Sequence, residues 1–290
     1  FRKIDLNNKE KWKNYFESKY SSIQIDGIII IFANAIKFIN KYGNTLFKDI
    51  PKIAYGDTKI VDKSNTLIMK IENSIAVEQT VKEALSQNKN VKNIYLIGSN
   101  DKSAGDIKNL SKIYIKKYSS IIPQSLDNLT FEEMQEVLKK IPKDSIIFYS
   151  LFFKDKNGVK LTPKKYLNKF LKVSNVPTYV YFSTLLESNV VGGYVIDSEV
   201  LVQNMFKTLI SNEKIEENKH DNIRAKFNYN ILQKYNIDIN KIPKNSVLLN
   251  KPDNYLKINK QNILILTTLI IWLIFIVILF VLTKRKKKVI

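Results

Sequence analysis

The chain has 290 residues, 47 Lys and Arg against 27 Asp and Glu, a formal charge of +20, and no cysteine. Without thiols there are no disulfides, no thiolate nucleophile and no cysteine-held metal. The positive charge does not imply nucleic acid as a partner. Only Arg2, Arg224 and Arg285 are arginine, and the lysines are scattered rather than interleaved with aromatics, which leaves a solvated surface and no stacking platform for bases.

Along the chain, Phe1–Leu6 is expected to be a strand and Lys9–Lys19 a polar helix. Gly27–Phe32 is a continuous β-branched run, the pattern of a strand buried on both faces. A helix over Asn34–Tyr42, a short strand at Lys52–Tyr55, a helix over Ala76–Gln87, a strand at Asn93–Gly98 and a helix over Ala104–Lys117 follow. Ile121–Pro123 reads as a short extended piece. Thr130-Phe131-Glu132-Glu133 is a capping box opening a helix to Lys140, ended by Pro142. Ser145–Phe152 is a buried strand, and Thr162-Pro163 starts another helix with threonine as cap and proline in the first turn. Val176–Phe182 and Val191–Ile196 are further strands, and Asp197 or Ser198 caps a helix to about Ile210. Ser211–Asp221 is charged and reads as a loop. Alternating strand and helix imply an α/β fold with right-handed crossovers and parallel sheets. So many strands call for two lobes, with a boundary near Asn88–Asn90.

The C-terminal end differs in kind. No charged residue occurs from Ile263 to Thr283, and Lys284-Arg285-Lys286-Lys287-Lys288 follows directly. As a helix the run is about 30 Å long, one hydrocarbon core, and lacks the polar stripe of a soluble helix. Residues 261–283 are therefore expected to cross a lipid bilayer, and the basic tail, 284–290, to stay cytoplasmic. The main domain then lies outside the cytoplasm, reached through an N-terminal signal or first span preceding Phe1. A cell-wall sorting motif, Leu-Pro-x-Thr-Gly, is absent upstream of the span.

Catalytic signals are thin. His220, the one histidine, sits in the charged stretch Glu216–Asp221 and reads as a solvated surface residue. None of the eight glycines forms a strand–GxGxxG–helix phosphate loop. Asp155-Lys156-Asn157-Gly158 opens like a calcium loop but lacks its later carboxylates, so a surface turn with Gly158 at positive φ is expected. Gly192-Gly193 permits a close backbone approach or a hinge, and packing alone explains it equally. The residues favour a binding module over an enzyme, and nothing in them implies a cofactor or a metal.

Several segments resemble a known family. Phe16–Tyr20, Asp26–Ile30, Ala35 with Phe38, and Leu46-Phe47 with Ile50-Pro51 are similar to the first lobe of the ABC-transporter substrate-binding domain family, which has the type I periplasmic-binding fold. Ile141–Ser145, Phe153–Gly158, Val176–Tyr179 and Val190–Val195 resemble its second lobe. Phe227, Leu232, Tyr235–Ile237, Ile242-Pro243 and Ser246–Asn250 resemble the tail found where this domain precedes a membrane span in sensory receptors such as histidine kinases. The resemblance covers most of Phe16–Asn250. It implies two Rossmann-like lobes that close on a small ligand, and receptors of this kind usually pair, so a homodimer is expected. The family's first strand and helix have no counterpart here, and Phe32-Ala33 stands where acidic residues are expected. The implied organisation is 1–88 for a first lobe, 89–190 for a second, and 191–258 for segments returning to the first lobe and then the second.

Ligands of open α/β sheets meet the carboxyl ends of strands. The candidates chosen on that rule are Phe32, Asn34, Tyr55, Asp57, Ser99, Asn100, Ser150, Phe152, Tyr181 and Ser183. Aromatics among them could stack on an amino acid or a purine-like ligand, with hydroxyls and amides orienting it; each aromatic has the plainer reading of a core residue. The expected role is an extracytoplasmic solute sensor whose closure reaches the transmembrane helix, with a histidine kinase or cyclase module after Ile290. The alternatives are a tethered substrate-binding protein of a transporter and a tail-anchored adhesion or scaffold protein.

Overall fold

Two sheets of unequal width organise the chain. The structure, a computed structural model, describes residues 9–56, 65–69, 73–100, 102–211, 222–252 and 255–286. The expectations for Phe1–Leu6, for the loop 212–221 with His220, and for Asp57 lie outside these residues.

The small sheet holds β1 (Ile28–Ile31), β2 (Lys52–Tyr55) and β3 (Thr66–Met69), all parallel, with β2 in the middle. β3 was not expected. The unbroken isoleucine run of β1 is explained by cover on both faces. Ile30 and Ala54 meet Phe16 of α1 (Lys9–Tyr20) and Ile36, Phe38 and Ile39 of α2 (Phe32–Leu46). On the opposite face, Ile29, Ile31, Ile53, Tyr55, Leu67 and Met69 meet Leu201 and Met205 of a later helix, α7 (Ser198–Ser211). Alternate side chains of one strand thus enter two cores, and no polar alternation can appear in the sequence.

The large sheet runs β10-β9-β8-β7-β6-β4-β5. Its strands are β4 (Asn93–Ile97), β5 (Gln124–Ser125), β6 (Ser145–Tyr149), β7 (Thr178–Val180), β8 (Gly192–Ile196), β9 (Ile223–Asn228) and β10 (Val247–Leu249). All neighbours are parallel except β8 and β9. The piece expected at Ile121–Pro123 pairs slightly later, as β5. β8 and β9 approach closely: Gly192 has φ +116°, and a Cβ there would lie 2.1 Å from the Lys226 carbonyl oxygen. Only glycine fits, so the packing reading of Gly192 suffices.

Helix α3 (Asn73–Gln87) belongs to the larger core. Its Ala76, Val77, Val81 and Ala84 pack with Ile94, Leu96 and Val195. Its Thr80 Oγ1 accepts from the Tyr194 N–H (2.9 Å) and donates to the Tyr194 carbonyl (3.1 Å). The chain therefore changes cores before Asn73, ahead of the expected Asn88–Asn90, because an amphipathic helix does not announce which sheet it covers. It crosses again into α7, which packs on the small sheet, and returns to the large one at β9.

The remaining helices are α4 (Lys102–Tyr118), α5 (Phe131–Lys140), α6 (Pro163–Leu171) and α8 (Tyr229–Lys234). The expected caps are present. Thr130 Oγ1 accepts from Glu133 N–H (3.1 Å) and Glu133 Oε2 accepts from Thr130 N–H (2.8 Å), while Thr162 Oγ1 caps α6 with Pro163 behind it. Asp197 caps α7, its Oδ1 accepting from Glu199 N–H. Thr130→Ala removes the hydroxyl half of the capping box, leaving Glu133 on the backbone N–H of residue 130, and is expected to cost about 1 kcal/mol. In thermal unfolding of the detergent-solubilised chain that is a fall in Tm of roughly 2–4 °C.

Residues Asn250–Ile290 form a separate unit built around α9 (Tyr255–Lys286). Within it Asn262–Phe280 has a mean hydropathy of 3.2, buries none of its surface in the chain, and is long and apolar enough to cross a membrane. Its two hydroxyls are satisfied internally: Thr267 donates to the Ile263 and Leu264 carbonyls and Thr268 to that of Ile265. Such back-bonding suits a helix surrounded by lipid.

Candidate functional site at the strand ends

The carboxyl ends of β4 and β6 hold each other as they leave the sheet. Ser150 N–H donates to the Ile97 carbonyl and Ser99 N–H to that of Leu151, both at 2.9 Å. Ser150 Oγ donates to Ile97 O (3.2 Å), and Ser99 Oγ accepts from Phe153 N–H (2.6 Å). Gly98 makes room for this, since a Cβ there would sit 2.0 Å from Ser150 Oγ. Both serines are buried and shape the β6–α6 loop, so their hydroxyls are engaged by backbone rather than offered outward.

Asn100 is exposed at the end of the same turn. Its Oδ1 accepts from Lys108 Nζ (2.5 Å), and Lys108 also makes an ion pair with Asp127. The β4–α4 loop, α4 and the β5–α5 loop thereby place an amide, an ammonium and a carboxylate together at the rim. Sequence reasoning found only the amide. The signal for Lys108 was available: it falls in the stripe Ala104, Ile107, Lys108, Ser111, Ile115, whose members are all buried.

Phe152 and Tyr181 are core residues, which corrects their choice as ligand platforms. Phe152 stands edge-on to Tyr166 with centroids 4.8 Å apart and is wholly buried, because β6 ends at Tyr149 and the chain then turns inward. Tyr181 stacks on Phe148, and its hydroxyl lies 2.8 Å from Ser111 Oγ. Burial pushes its phenol well above the usual tyrosine range.

Tyr55 and Ser183 lie where the chain crosses between the sheets. Tyr55 ends β2, packs against Leu201 and Met205, and is pushed up to about 12 by burial, partly offset by a hydrogen bond with the Asn222 side chain. Ser183 Oγ accepts from the N–H of Ser198, the first residue of α7 (3.0 Å). Between them Asp197, expected only as a helix cap, pairs with Lys226 at 2.5 Å, and its N–H donates to the Asn222 carbonyl (2.6 Å). Phe32 and Asn34 lie in the first turn of α2, directly at the end of β1.

The Asp155–Gly158 segment is a tight turn: Asp155 Oδ1 accepts from Val159 N–H, and Gly158 has φ +81°. Among the described residues no group of three His, Cys, Asp or Glu could hold a metal ion.

No family model matches the chain, and no curated protein matches it. Solved structures do. The ABC domain in complex with L-Trp from Streptococcus pneumonia is similar at a TM-score of 0.58 and 16% identity, over 83% of this chain and 86% of that one. A conserved domain protein from Vibrio cholerae gives a TM-score of 0.53 at 14% identity, over 79% of this chain and 80% of that one. The ligand-free, open form of a substrate-binding protein with adhesive properties from Clostridium difficile gives 0.52 at 16% identity, over 84% of both chains. At such identities the likeness concerns the fold, and it agrees with the two-sheet architecture. The chain has the type I periplasmic-binding-protein fold.

Proposed function

We propose that this chain is a membrane-anchored, extracytoplasmic domain that binds a small solute between its two sheets and passes the resulting closure to α9. The observation that carries the reading is the double crossing around α7. That helix covers the small sheet, while the strands before and after it, β8 and β9, belong to the large one. Two cores joined at crossings can change their mutual angle without breaking either core. The Ser183–Ser198 and Asp197–Lys226 contacts lie at that hinge. Closure responds to a ligand only through its difference in affinity for the open and closed forms. The apolar Asn262–Phe280 segment supplies the anchor, and the basic cluster after it sets the cytoplasmic side. Transmission of closure through α9 makes the chain the sensor of a receptor.

For the ligand we take a polar solute with an aromatic or apolar body, an amino acid or a purine-like compound; the exposed Asn100 amide beside the Lys108–Asp127 pair supports that reading. L-Trp, present in the pneumococcal complex, is the first probe. The chain is free of cysteine, so Lys41→Cys on α2 and Lys140→Cys on α5 can carry a fluorophore pair, both positions being exposed. A panel of amino acids and purines, titrated against the labelled chain, should contain a compound that shortens the distance between the labels. Saturable binding with no change in distance would refute the closure mechanism; no binding across the panel would favour a scaffold role.

A further inference from the structure

Helix α7 carries more apolar surface than its packing uses. Leu201, Met205 and Leu209 turn toward the small sheet. Val202, Phe206 and Ile210, spaced i, i+4, i+8, form a second stripe and are 40%, 55% and 68% exposed. An ordinary surface helix keeps one apolar stripe and turns polar residues outward, so a second, contiguous one marks a contact face. Its flank is charged in an ordered way: Glu199 lies in the first turn and Lys207 two turns later, both exposed, with Gln203 between them.

We propose that this face pairs with the same face of a second copy, the two α7 helices running antiparallel about a two-fold axis near Asn204. The sign of the charges selects this occupant and this direction. With a rise of about 1.5 Å per residue, Val202 lies level with the partner's Phe206 to within one residue, and Glu199 lies about 3 Å along the axis from the partner's Lys207. Parallel pairing would oppose Glu199 to its own copy. An isologous contact is self-complementary by construction, and this stripe meets that condition in both shape and charge. The net charge of +20 opposes indiscriminate association, so a contact between copies must be specific to form. Three exposed side chains make a small interface by the standard of stable dimers. Confinement by α9, which rests on the membrane reading above, raises the effective concentration and lets a weak contact suffice.

The absence of native cysteine makes the test direct. Full-length Gln203→Cys, reconstituted in phosphatidylcholine vesicles and recovered by flotation, should cross-link on mild oxidation about tenfold more than Lys140→Cys, a difference set by proximity alone. Adding Phe206→Glu should lower the cross-linked fraction about tenfold. Glu199→Lys or Lys207→Glu alone should lower it, and the two together should restore it. Equal cross-linking at both positions, a charge swap that fails to restore, or a cysteine at 203 that resists maleimide in the uncross-linked chain would each overturn the proposal. The last result would mean the chain's own residues cover the face. A chain that fails to float would count against the membrane reading. The same excess of cross-linking, read in solution at raised concentration, would then still decide the pairing.

Discussion

Asp127→Ala is expected to destabilise the domain by about 3 kcal/mol, because it leaves the Lys108 ammonium buried with no counter-charge. The side chain of Lys108 is 6% exposed and that of Asp127 20%. At that burial an ammonium is costly to strip of water, and attraction to a carboxylate offsets most of the cost. Asn100 Oδ1 remains as an acceptor in the variant but carries no charge. The double variant Lys108→Met with Asp127→Ala should recover to within about 1 kcal/mol of the original, since it removes both ions and keeps an apolar stem in the stripe of α4. Urea unfolding of the four chains of this cycle gives the coupling from the midpoints, provided the slope is unchanged. If Asp127→Ala shifts the midpoint by less than a few tenths of a kcal/mol, water reaches Lys108 and the cluster is a solvated rim. Ligand titration of the same variants would show whether the freed ammonium alters affinity at the strand ends.

Much of the fold could be read from local chemistry. Thr130 with Glu133 and Thr162 with Pro163 fixed where two helices begin, and these signals depend on backbone donors within a single turn. β1 and β6 were visible because burial on both faces demands unbroken apolar runs. β9 was overlooked although Ile223, Ala225 and Phe227 alternate with Arg224, Lys226 and Asn228, the period of a strand. β3 and β10 were not expected as strands. The core that α3 joins was not legible at all. Ala76, Val77, Val81 and Ala84 specify an apolar face, and which sheet receives that face is decided by tertiary contacts such as Thr80 with Tyr194.

The strand-end rule picked out Asn100, Ser99 and Ser150, which lie together at the carboxyl ends of β4 and β6, yet it could not tell side chains that face outward from those that close the loop. Ser99 is taken up by the N–H of Phe153, fifty-four residues away, and no local pattern reports such a bond. Phe152 and Tyr181 looked like platforms because the apolar runs containing them extend past the last paired residue. The extra length is core, supplied by Tyr166 for one and by Phe148 and Ser111 for the other. Tyr55 and Ser183 were chosen as ligand contacts, and both pack beside the crossing at α7, Tyr55 against Leu201 and Met205 and Ser183 on the N–H of Ser198.

Raising the pH above about 10 is expected to unfold the domain steeply, because its interior holds tyrosines that resist ionisation. Tyr149, Tyr179 and Tyr181 are buried, and desolvation pushes all three phenols well above their usual range. Burial pushes Tyr166 up to about 12 as well. Each hydroxyl has a partner for its neutral form: Tyr149 donates to the Pro163 carbonyl (2.7 Å) and Tyr179 to Gln87 Oε1 (2.9 Å). Ser111 Oγ donates to the Ile107 carbonyl, so Tyr181 is the donor to Ser111. In the unfolded chain a tyrosine loses its proton near pH ~10. Between that value and the higher folded one, the folded state binds more protons than the unfolded state, so stability is intact below about pH 10 and falls as pH rises through the window. Each buried tyrosine contributes about 1.4 kcal/mol per pH unit, roughly 4 kcal/mol for three, against a total stability of about 5–15 kcal/mol. The transition should therefore be complete within about two to three pH units. Tyrosinate absorbance near 295 nm and far-ultraviolet dichroism, followed together, should change at the same pH for the buried set. Tyr181→Phe should flatten the pH dependence by about one tyrosine's share, and because exposed lysines titrate alike in both chains the difference isolates the phenol. If the buried phenols ionised near pH ~10 while the helices persisted, their burial would not be coupled to the fold, and this account of the core would fail.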